Sequence, residues 1–385
     1  MAEWKHVKIG DVCTVERGGS PRPIDKFITD DPNGINWIKI GDTTDSMYIT
    51  ETAQKIIPEG MKKSRYVQPG DFLLSNSMSF GRPYILKIDG CIHDGWLVLR
   101  DNDGIFDKRF LYYYLSSPST YQKFKNMAVG GVVNNLNSEM VRGVTVPVPP
   151  MDEQIDIVTT LDKVTELIAL RKEQLGKLDQ LVKSRFIELF GDPVYNNNGL
   201  PTKKLCELGS LDRGRSQHRP RNDPKLLNGP YPLIQTGEVA SAGLYITEYK
   251  NTYSELGLQQ SKMWKAGTLC ITIAANIAQT AILTFDACFP DSVVGFVPND
   301  AVSAIYMHYW FGFFQKILEE QAPQVAQKNI NLKILSDLDV MVPKKEHQEQ
   351  FAAFVEQTDK SKLAIQQSLD KLELLKKSLM QRYFG

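Results

Sequence analysis

The feature that most constrains this 385-residue chain is an internal repeat, because short motifs of its first half return in the same order in its second half. Arg17-Gly18-x-Ser20, for example, returns as Arg213-Gly214-x-Ser216, 196 positions later. The other matched motifs are Lys8-Ile9 and Lys204-Leu205, Tyr48-Ile49-Thr50-Glu51 and Tyr245-Ile246-Thr247-Glu248, Cys91-x-x-Asp94 and Cys288-x-x-Asp291, Asn135-x-Asn137 and Asn329-x-Asn331, Gln154 and Gln348, and Phe190-Gly191 and Phe384-Gly385. Since the offset drifts by only about three residues, the sequence indicates a tandem duplication of a unit of roughly 190 residues.

Each unit has a sheet-rich part followed by a helical part. Short apolar runs broken by Gly, Pro, Asn and Asp predict strands, among them Trp37–Ile40, Asp71–Ser75 and Trp96–Leu99, with a turn at Gln68–Asp71. A helix is expected over Lys108–Met127, and its counterpart over Ser303–Gln321. We therefore expect four segments: a globular domain at 1–150, a long helix at 151–192, a second globular domain at 193–343 and a second long helix at 344–385.

Both long helices carry a narrow apolar seam with the heptad spacing of coiled coils. The seam residues are Leu161, Val164, Ile168, Leu175, Leu178 and Val182 in the first helix, and Ile365, Leu369, Leu372 and Leu379 in the second. Each helix could instead pack on its own globular domain. The duplication favours pairing of the helices, so the expected fold is α+β: two sheet-rich domains separated by two long helices that form an antiparallel coiled coil, with pseudo-twofold symmetry.

Composition and missing motifs exclude several classes of protein. Lys plus Arg and Asp plus Glu are equal at 45 each, so a nucleic-acid role must rest on local patches or on a partner's charge. The five cysteines form no C-x-x-C pair, which predicts reduced thiols in a cytosol and no zinc site. The most apolar stretch, 271–285, is too short to span a membrane.

No catalytic motif is found. The sequence has no phosphate loop, no dinucleotide fingerprint and no H-E-x-x-H, and its histidines do not recur at matching positions of the two units. His93 precedes Asp94, but its partner in the repeat is Pro290, which favours a local structural role for this histidine. These observations favour binding over catalysis.

Three pairs of polar, Gly-containing or amide-rich segments occupy matching places and are candidates for contacting DNA. In the first unit the candidate residues are Arg17, Ser20, Arg22, Ser77, Ser79, Arg82, Asn134 and Asn135. In the second unit they are Arg213, Arg215, Ser216, His218, Arg219, Arg221, Asn276, Gln279, Gln327 and Lys328. The basic segments could also be solvated loops, and the amides near 135 and 329 could cap turns rather than read adenine edges. Repeating frames with divergent loops indicate two sites for related but different targets.

The whole pattern resembles the specificity subunits of type I restriction–modification systems. The resemblance is carried by Lys8-Ile9-Gly10-Asp11, Trp37-Ile38-Lys39-Ile40-Gly41-Asp42, 67–75 with Gly81-Arg82, Asn135-Leu136-Asn137, 146–154 and the Phe-Gly ends of both helices. One departure is 343–348, which lacks the second proline and the Glu-Gln pair of the first unit and leaves open how the second domain joins its helix.

The resemblance implies a non-catalytic subunit in a bacterial or archaeal cytoplasm. Each globular domain would be a target-recognition domain that reads half of a bipartite, asymmetric site in double-stranded DNA. The helices would set the spacing and dock two methyltransferase subunits, and through them the restriction and translocase subunits, with no membrane involved. The complex would be an adenine-specific methyltransferase and an ATP-dependent endonuclease, with S-adenosylmethionine, ATP and Mg on the partners. The alternatives are a coiled-coil scaffold and a recognition fragment of a fused methyltransferase–nuclease.

Overall fold

The structure, a computed structural model, describes residues 4–76, 81–129, 135–274, 277–321 and 330–385. The chain divides into two compact units, which we call unit 1 (1–172 with 367–385) and unit 2 (173–366). The division passes through both long helices, Met151–Phe190 and Lys345–Phe384. Each unit therefore holds one sheet-rich part and a segment of each long helix.

Among its described residues, unit 1 contains three sheets. A two-stranded antiparallel sheet pairs Lys5–Lys8 with Thr145–Val148, the strand that leads into the first long helix. One five-stranded sheet has the order Cys13–Arg17, Trp96–Asp101, Phe72–Ser75, Pro83–Leu86, Tyr48–Ile49. The other has the order Ile28–Thr29, Gln54–Ile56, Ile35–Ile38, Gly90–Ile92, Arg65–Val67.

Unit 2 repeats this arrangement. Its two-stranded sheet pairs Thr202–Lys204 with Asp339–Met341. Its five-stranded sheet has the order Gly209–Arg213, Val293–Pro298, Leu269–Thr272, Thr280–Leu283, Tyr245–Ile246. The remaining sheet has four strands among the described residues, in the order Asn251–Tyr253, Leu227–Leu233, Ala287–Cys288, Met263–Trp264. The matching strand order confirms the internal repeat at the level of topology.

Nearly continuous apolar runs form the central strands of the two matching five-stranded sheets, one in each unit. Every residue of Phe72–Ser75 and of Leu269–Thr272 is buried, as expected for a strand that is covered on both faces. The turn predicted before the first of these strands is confirmed. Asp71 donates its backbone N–H to the Gln68 carbonyl and accepts the Gln68 N–H on its carboxylate.

The shorter helices are matched only in part between the units. Those of unit 1 are Ile9–Val12, Pro58–Met61, Lys108–Leu115, Pro118–Val129 and Ser138–Arg142. Those of unit 2 are Thr236–Ser241, Glu255–Gln259, Ala304–Gln321 and Leu332–Ser336. Asn137 and Asn331 cap the helices that follow them, since their side-chain oxygens accept the N–H groups of Met140 and Ile334 at 2.8 and 2.9 Å.

The single helix predicted over Lys108–Met127 is wrong, because the chain forms two helices there. The break falls at Ser116 and Ser117, where Pro118 starts a new helix and the Ser117 hydroxyl accepts the Thr120 N–H at 3.3 Å. The counterpart Ala304–Gln321 contains no proline and is one helix, which starts after Ser303 as predicted.

The strand predicted over Trp37–Ile40 ends two residues early. It spans Ile35–Ile38, and Ile40–Asp42 forms a 3₁₀ turn instead. The Asp42 carboxylate accepts the Lys39 N–H at 2.7 Å, which replaces the strand hydrogen bond with a capping contact.

A buried glutamine joins each sheet-rich part to the start of its long helix. The Gln154 side chain accepts the Asp107 N–H at 2.9 Å and donates to the carbonyls of Ile105 and Pro149, both at 2.9 Å. Gln348 makes the same three contacts in unit 2, at 2.8–3.0 Å, with Ser303, Ala301 and Pro343. The second domain therefore joins its helix as the first does, although 343–348 lacks the second proline.

In unit 1 the two helix segments run antiparallel. Lys172 pairs with Glu373 at 3.1 Å, whereas the earlier residues Ile157 and Val158 share a core with Phe384 at the end of the second helix. The seam residues Leu161, Val164, Ile168 and Leu369 are buried here, and Leu372 and Leu379 are half-buried.

The helix segments of unit 2 also run antiparallel. Asp179 pairs with Lys362 at 2.6 Å, and further along the first helix the Phe186 ring lies 5.4 Å from the ring of Phe351, which comes earlier in the second helix. Val182 is buried, and Leu175, Leu178 and Ile365 are half-buried. Within both units the helices pack on each other and on the sheet-rich core, so the two packings that the seam allowed occur together.

Candidate nucleic-acid interface

The first basic loop, residues 17–22, leaves the edge strand Cys13–Arg17 and turns at once across the sheet. The Gly18 N–H binds the Trp96 carbonyl at 2.9 Å. A side chain at Gly18 would collide with the backbone carbonyl of His93, so the turn requires glycine. This close approach fixes where Arg17 and the rest of the loop leave the sheet.

Asp94 holds the first basic loop together. Its carboxylate accepts the Ser20 hydroxyl at 2.8 Å and lies 3.4 Å from Nη2 of Arg22. Its backbone carbonyl accepts Nε of Arg17 at 3.0 Å and Nδ2 of the buried Asn76 at 2.8 Å. One aspartate thus contacts three of the loop residues that the sequence singles out.

His93 supports this aspartate. Its Nδ1 accepts the Gly95 N–H at 2.9 Å, so the ring proton lies on Nε2 and is donated to Asp94 at 2.9 Å. Burial lowers the pKa of His93 below its usual value, against the opposing effect of Asp94. For Asp94 itself, burial would raise the pKa, but the Ser20 hydroxyl, His93 and the two arginines lower it below its ordinary value.

The second basic loop, residues 213–221, is built on the same plan around Asp291. The Gly214 N–H binds the Val293 carbonyl at 2.9 Å, and Nε of Arg213 donates to the Asp291 carbonyl at 3.1 Å. The Asp291 carboxylate accepts Nη2 of Arg221 at 2.7 and 3.0 Å. We call Asp94 and Asp291 the loop aspartates. The sequence argument did not select them as site residues, although both lie in a repeated Cys-x-x-Asp motif.

The other predicted residues of the second loop differ in their contacts and burial. Arg219 donates from Nη1 to the carbonyls of Ser216 and His218, and His218 pairs with Asp223 at 3.1 Å. Ser216 is buried. Arg215 is exposed, and within the described part of the chain its side chain has no hydrogen-bond or ion-pair partner.

The second and third predicted segments are described only in part. Arg82 is exposed, and Gln279 and Asn135 are half-buried. Arg82 and Gln279 follow matching turns in which Gly81 and Ala278 donate to the carbonyls of Ser75 and Thr272, both at 2.8 Å. The residues that lie outside the described ranges are Ser77, Ser79, Asn134, Asn276, Gln327 and Lys328.

A cavity of about 830 Å³ adjoins the first basic loop. Trp37, which is buried, and His93 line it together with Lys39 and Gln54. Nζ of Lys39 donates to Oε1 of the Gln54 side chain at 2.7 Å. The side-chain nitrogen Nε2 of Gln54 has no partner among the described residues. Lysine and glutamine can both contact base edges. At the matching positions of the repeat, unit 2 has Gln235 instead of Lys39 and Asn251 instead of Gln54. This difference between the two units is the sequence signal that could have identified Lys39 and Gln54.

The described residues contain no group of three or more His, Cys, Asp or Glu side chains that could hold a metal ion. No described helix is both long and apolar enough to cross a membrane. Burial raises the pKa of the Cys13 thiol to about 12 with a further contribution from Asp101, and burial also raises the pKa values of Cys91 and Cys288. These three thiols are therefore poor nucleophiles.

The comparisons with known proteins agree with this picture. The family model described as the type I restriction modification DNA specificity domain matches twice, over residues 1–180 and 198–374. The chain belongs to this family. The two matches correspond to the two repeats, and a specificity domain accounts for two similar frames with different exposed side chains.

Relatives of the specificity family align over nearly the whole chain. The putative type I restriction enzyme MjaX specificity subunit of Methanocaldococcus jannaschii is 22% identical, over 98% of this chain and 92% of its own length. The EcoBI specificity subunit of Escherichia coli is 21% identical, over 99% of this chain and 85% of its own.

Solved structures share the fold. A chain from a study of complex assembly and conformational transition of the type I R-M system matches with a TM-score of 0.63 and 18% identity, covering 100% of this chain and 98% of that one. The type I restriction-modification S subunit from M. genitalium matches with a TM-score of 0.59 and 14% identity, covering 100% and 96%. The protein is a DNA-recognition subunit of the type I restriction-modification class, and the scaffold and fused-fragment alternatives are not favoured.

Proposed function

We propose that units 1 and 2 each read one half of a bipartite, asymmetric DNA site, unit 1 through the first basic loop and unit 2 through the second. The observation that carries this proposal is the shared geometry of the loops, in which each loop aspartate binds one arginine through its carbonyl and another through its carboxylate. A shared frame with different exposed residues suits two sites that bind the same polymer and distinguish different bases.

Substitution of the loop aspartates tests this assignment. Asp94→Asn and Asp291→Asn keep the size of the side chain and remove the charge that holds Arg22 or Arg221. Methylome sequencing of cells that carry the variant with its partner subunits should show relaxed recognition in one half-site for Asp94→Asn and in the other for Asp291→Asn. If either variant relaxes both half-sites, or neither variant changes the sequence read, the division of labour is wrong.

We further propose that the chain carries out no chemistry itself and that two methyltransferase subunits, with restriction and translocase subunits bound through them, supply it. S-adenosylmethionine, ATP and Mg would bind those partners. Purified chain incubated with DNA and S-adenosylmethionine should give no methylated adenine until a methyltransferase subunit is added. That addition should also tighten DNA binding, because the chain's own net charge is zero. Methylation by the chain alone would contradict this proposal.

The long helices are the proposed docking surface for the methyltransferase subunits, because they expose large apolar side chains. Leu167, Leu170 and Leu374 in unit 1 and Leu181 and Leu363 in unit 2 are 43–67% exposed. Leu363→Glu and Leu374→Glu should abolish copurification with the methyltransferase subunit. Leu256→Glu is the control, because Leu256 is 49% exposed but lies outside the long helices. Equal losses for all three variants would count against the helices as the docking surface.

A further inference from the structure

We infer that Arg17 and Arg213 form a matched pair of phosphodiester-binding sites, one in each unit, which hold the DNA backbone and do not read its sequence. This inference rests on the proposed function, in which the two units bind different half-sites of one duplex. Two half-sites differ in their bases but share the same backbone. Side chains with the same identity and geometry in both units are therefore suited to what the half-sites share.

The guanidinium groups of Arg17 and Arg213 are oriented in the same way. Each uses only Nε to bind the backbone carbonyl of its loop aspartate, at 3.0 Å for Arg17 and 3.1 Å for Arg213. Both side chains are exposed. Because Nε is occupied, the two Nη groups at the far end are directed away from the carbonyl as a fork of parallel donors, the geometry that binds two phosphate oxygens at once.

The guanidinium groups of these two arginines make no direct contact with a carboxylate among the described residues, unlike those of their neighbours Arg22 and Arg221. Arg22 and Arg221 each lie against a loop-aspartate carboxylate, at 3.4 and 2.7 Å. Within the described ranges, no Asp or Glu oxygen lies within 4.0 Å of the guanidinium nitrogens of Arg17 or Arg213. The loop-aspartate carboxylate thus contacts one arginine of each loop directly, whereas the backbone carbonyl orients the other arginine through its Nε.

The strand that presents each arginine is fixed in both units by an ion pair one residue earlier. Glu16 pairs with Arg65 at 2.7 Å in unit 1, and Asp212 pairs with Lys262 at 2.7 Å at the matching place of unit 2. Arg65 also donates from Nε to the Arg17 carbonyl at 3.1 Å. Each arginine therefore leaves a held backbone, which reduces the entropy lost when it binds an anion.

The position two residues after each of these arginines shows the opposite behaviour. Gly19 and Arg215 occupy matching places, and their N–H groups bind the carbonyls of Ile92 and Phe289 at 3.2 and 3.1 Å. The backbone is the same, but only unit 2 has a side chain there. A residue present in one unit alone suits a feature that only one half-site has, which is its base sequence.

The test is DNA binding by the complete complex with its methyltransferase subunits, measured over a series of salt concentrations. We expect Arg17→Ala and Arg213→Ala each to weaken binding about tenfold for the cognate site and for unrelated DNA alike. Each should also reduce the slope of log K against log salt by about 1, with the methylated sequence unchanged. Lys123→Ala and Lys333→Ala remove an exposed charge elsewhere in each unit and serve as matched controls with an unchanged slope.

Arg17→Lys and Arg213→Lys test the contribution of the two Nη donors separately from that of the positive charge. Lysine keeps the positive charge but cannot bind the carbonyl through Nε and present two further donors, so the salt slope should be kept while affinity falls severalfold. A changed base preference at one position would make these arginines base readers and overturn the inference. An unchanged salt slope in correctly folded Ala variants would overturn it as well. A wild-type complex without any sequence preference would instead refute the proposed function.

Discussion

The first and second basic loops leave matching strands, turn at matching glycines and close on matching aspartates, yet they expose different side chains. In the first loop Asp94 is held by a serine hydroxyl and a neutral histidine as well as by arginine. In the second loop Pro290 replaces the histidine, and the Asp291 carboxylate is bound by Arg221, with Arg219 further away at 3.9 Å.

This difference shows which parts of a duplicated domain are free to diverge. The atoms that hold the loop to the sheet are backbone groups, or side chains that contact backbone, and they recur in both units. Apart from the arginines that the loop aspartates hold, the loop side chains that face solvent or a cavity differ. Folding therefore constrains the frame, and what differs is the set of exposed side chains that can select a target. Four sets of substitutions test the comparison, from the frame outward.

The largest effect is expected at the buried glutamines of the frame. Gln154→Leu and Gln348→Leu each remove three buried hydrogen bonds and leave their backbone partners unpaired, which should cost about 4 kcal/mol in the free energy of unfolding. Chemical denaturation is the measurement. Gln122→Leu, at an exposed helix position, should change stability by no more than about 0.5 kcal/mol. Costs that differ severalfold between the two glutamines would show that the frames are not equivalent.

Low pH should affect the stability of the two units differently because of a second matched position, where unit 2 has His308 and unit 1 has Tyr112. Burial lowers the pKa of His308 to about 4 from its usual 6.5. Because the unfolded state then binds the proton more readily, unit 2 should lose up to about 3 kcal/mol of stability as the pH falls from 6.5 to 4. Below that range this group should cause no further loss.

The measurement is denaturation of wild-type protein and of His308→Gln between pH 7 and 4. The variant should lose most of this acid sensitivity, because glutamine has no proton to gain. His347→Gln, at an exposed position, is the control and should behave like wild type. An acid response that survives in His308→Gln would place its origin in other groups.

An intermediate effect is expected at the turn formed by Gly81 in unit 1 and Ala278 in unit 2. Both have a positive φ, of 71° and 56°, but the space that a Cβ would need at Gly81 is taken by the Phe124 ring. Gly81→Ala should therefore cost about 2–3 kcal/mol, whereas Ala278→Gly should stay within about 1 kcal/mol. Thermal unfolding compares the two. Equal effects would mean that the turns have the same surroundings.

The smallest effect is expected at Arg215, which has no counterpart side chain in unit 1. Arg215→Ala should lower discrimination in the half-site read by unit 2 by about 2 kcal/mol and leave the other half-site and the stability unchanged. Competition binding with single-base variants of the site measures this. A uniform loss across all sequences would make Arg215 a phosphate contact instead.

The repeat, the order of sheet-rich and helical parts and the apolar seam could all be predicted from the sequence, because they depend on spacing along the chain. Sequence reasoning also selected Arg17, Arg213 and Arg215 as candidates. It did not assign them separate roles, because all three are arginines and the matching contacts of Arg17 and Arg213 appear only in the structure. It also missed the helix break before Pro118, because the prediction followed the apolar pattern and did not take this proline into account.

The sequence by itself determined that two copies of one fold are joined by helices, since periodicity and repetition are properties of residue order. Only the tertiary structure decided that Asp94 lies against Arg17 and Arg22, and Asp291 against Arg213 and Arg221, pairs that are separated by 70 residues or more. Such contacts are made by adjacent strands of a sheet. Whether a guanidinium meets a carboxylate or only a carbonyl depends on positions within a few ångströms, and the proposed roles of Arg17 and Arg213 rest on that distinction.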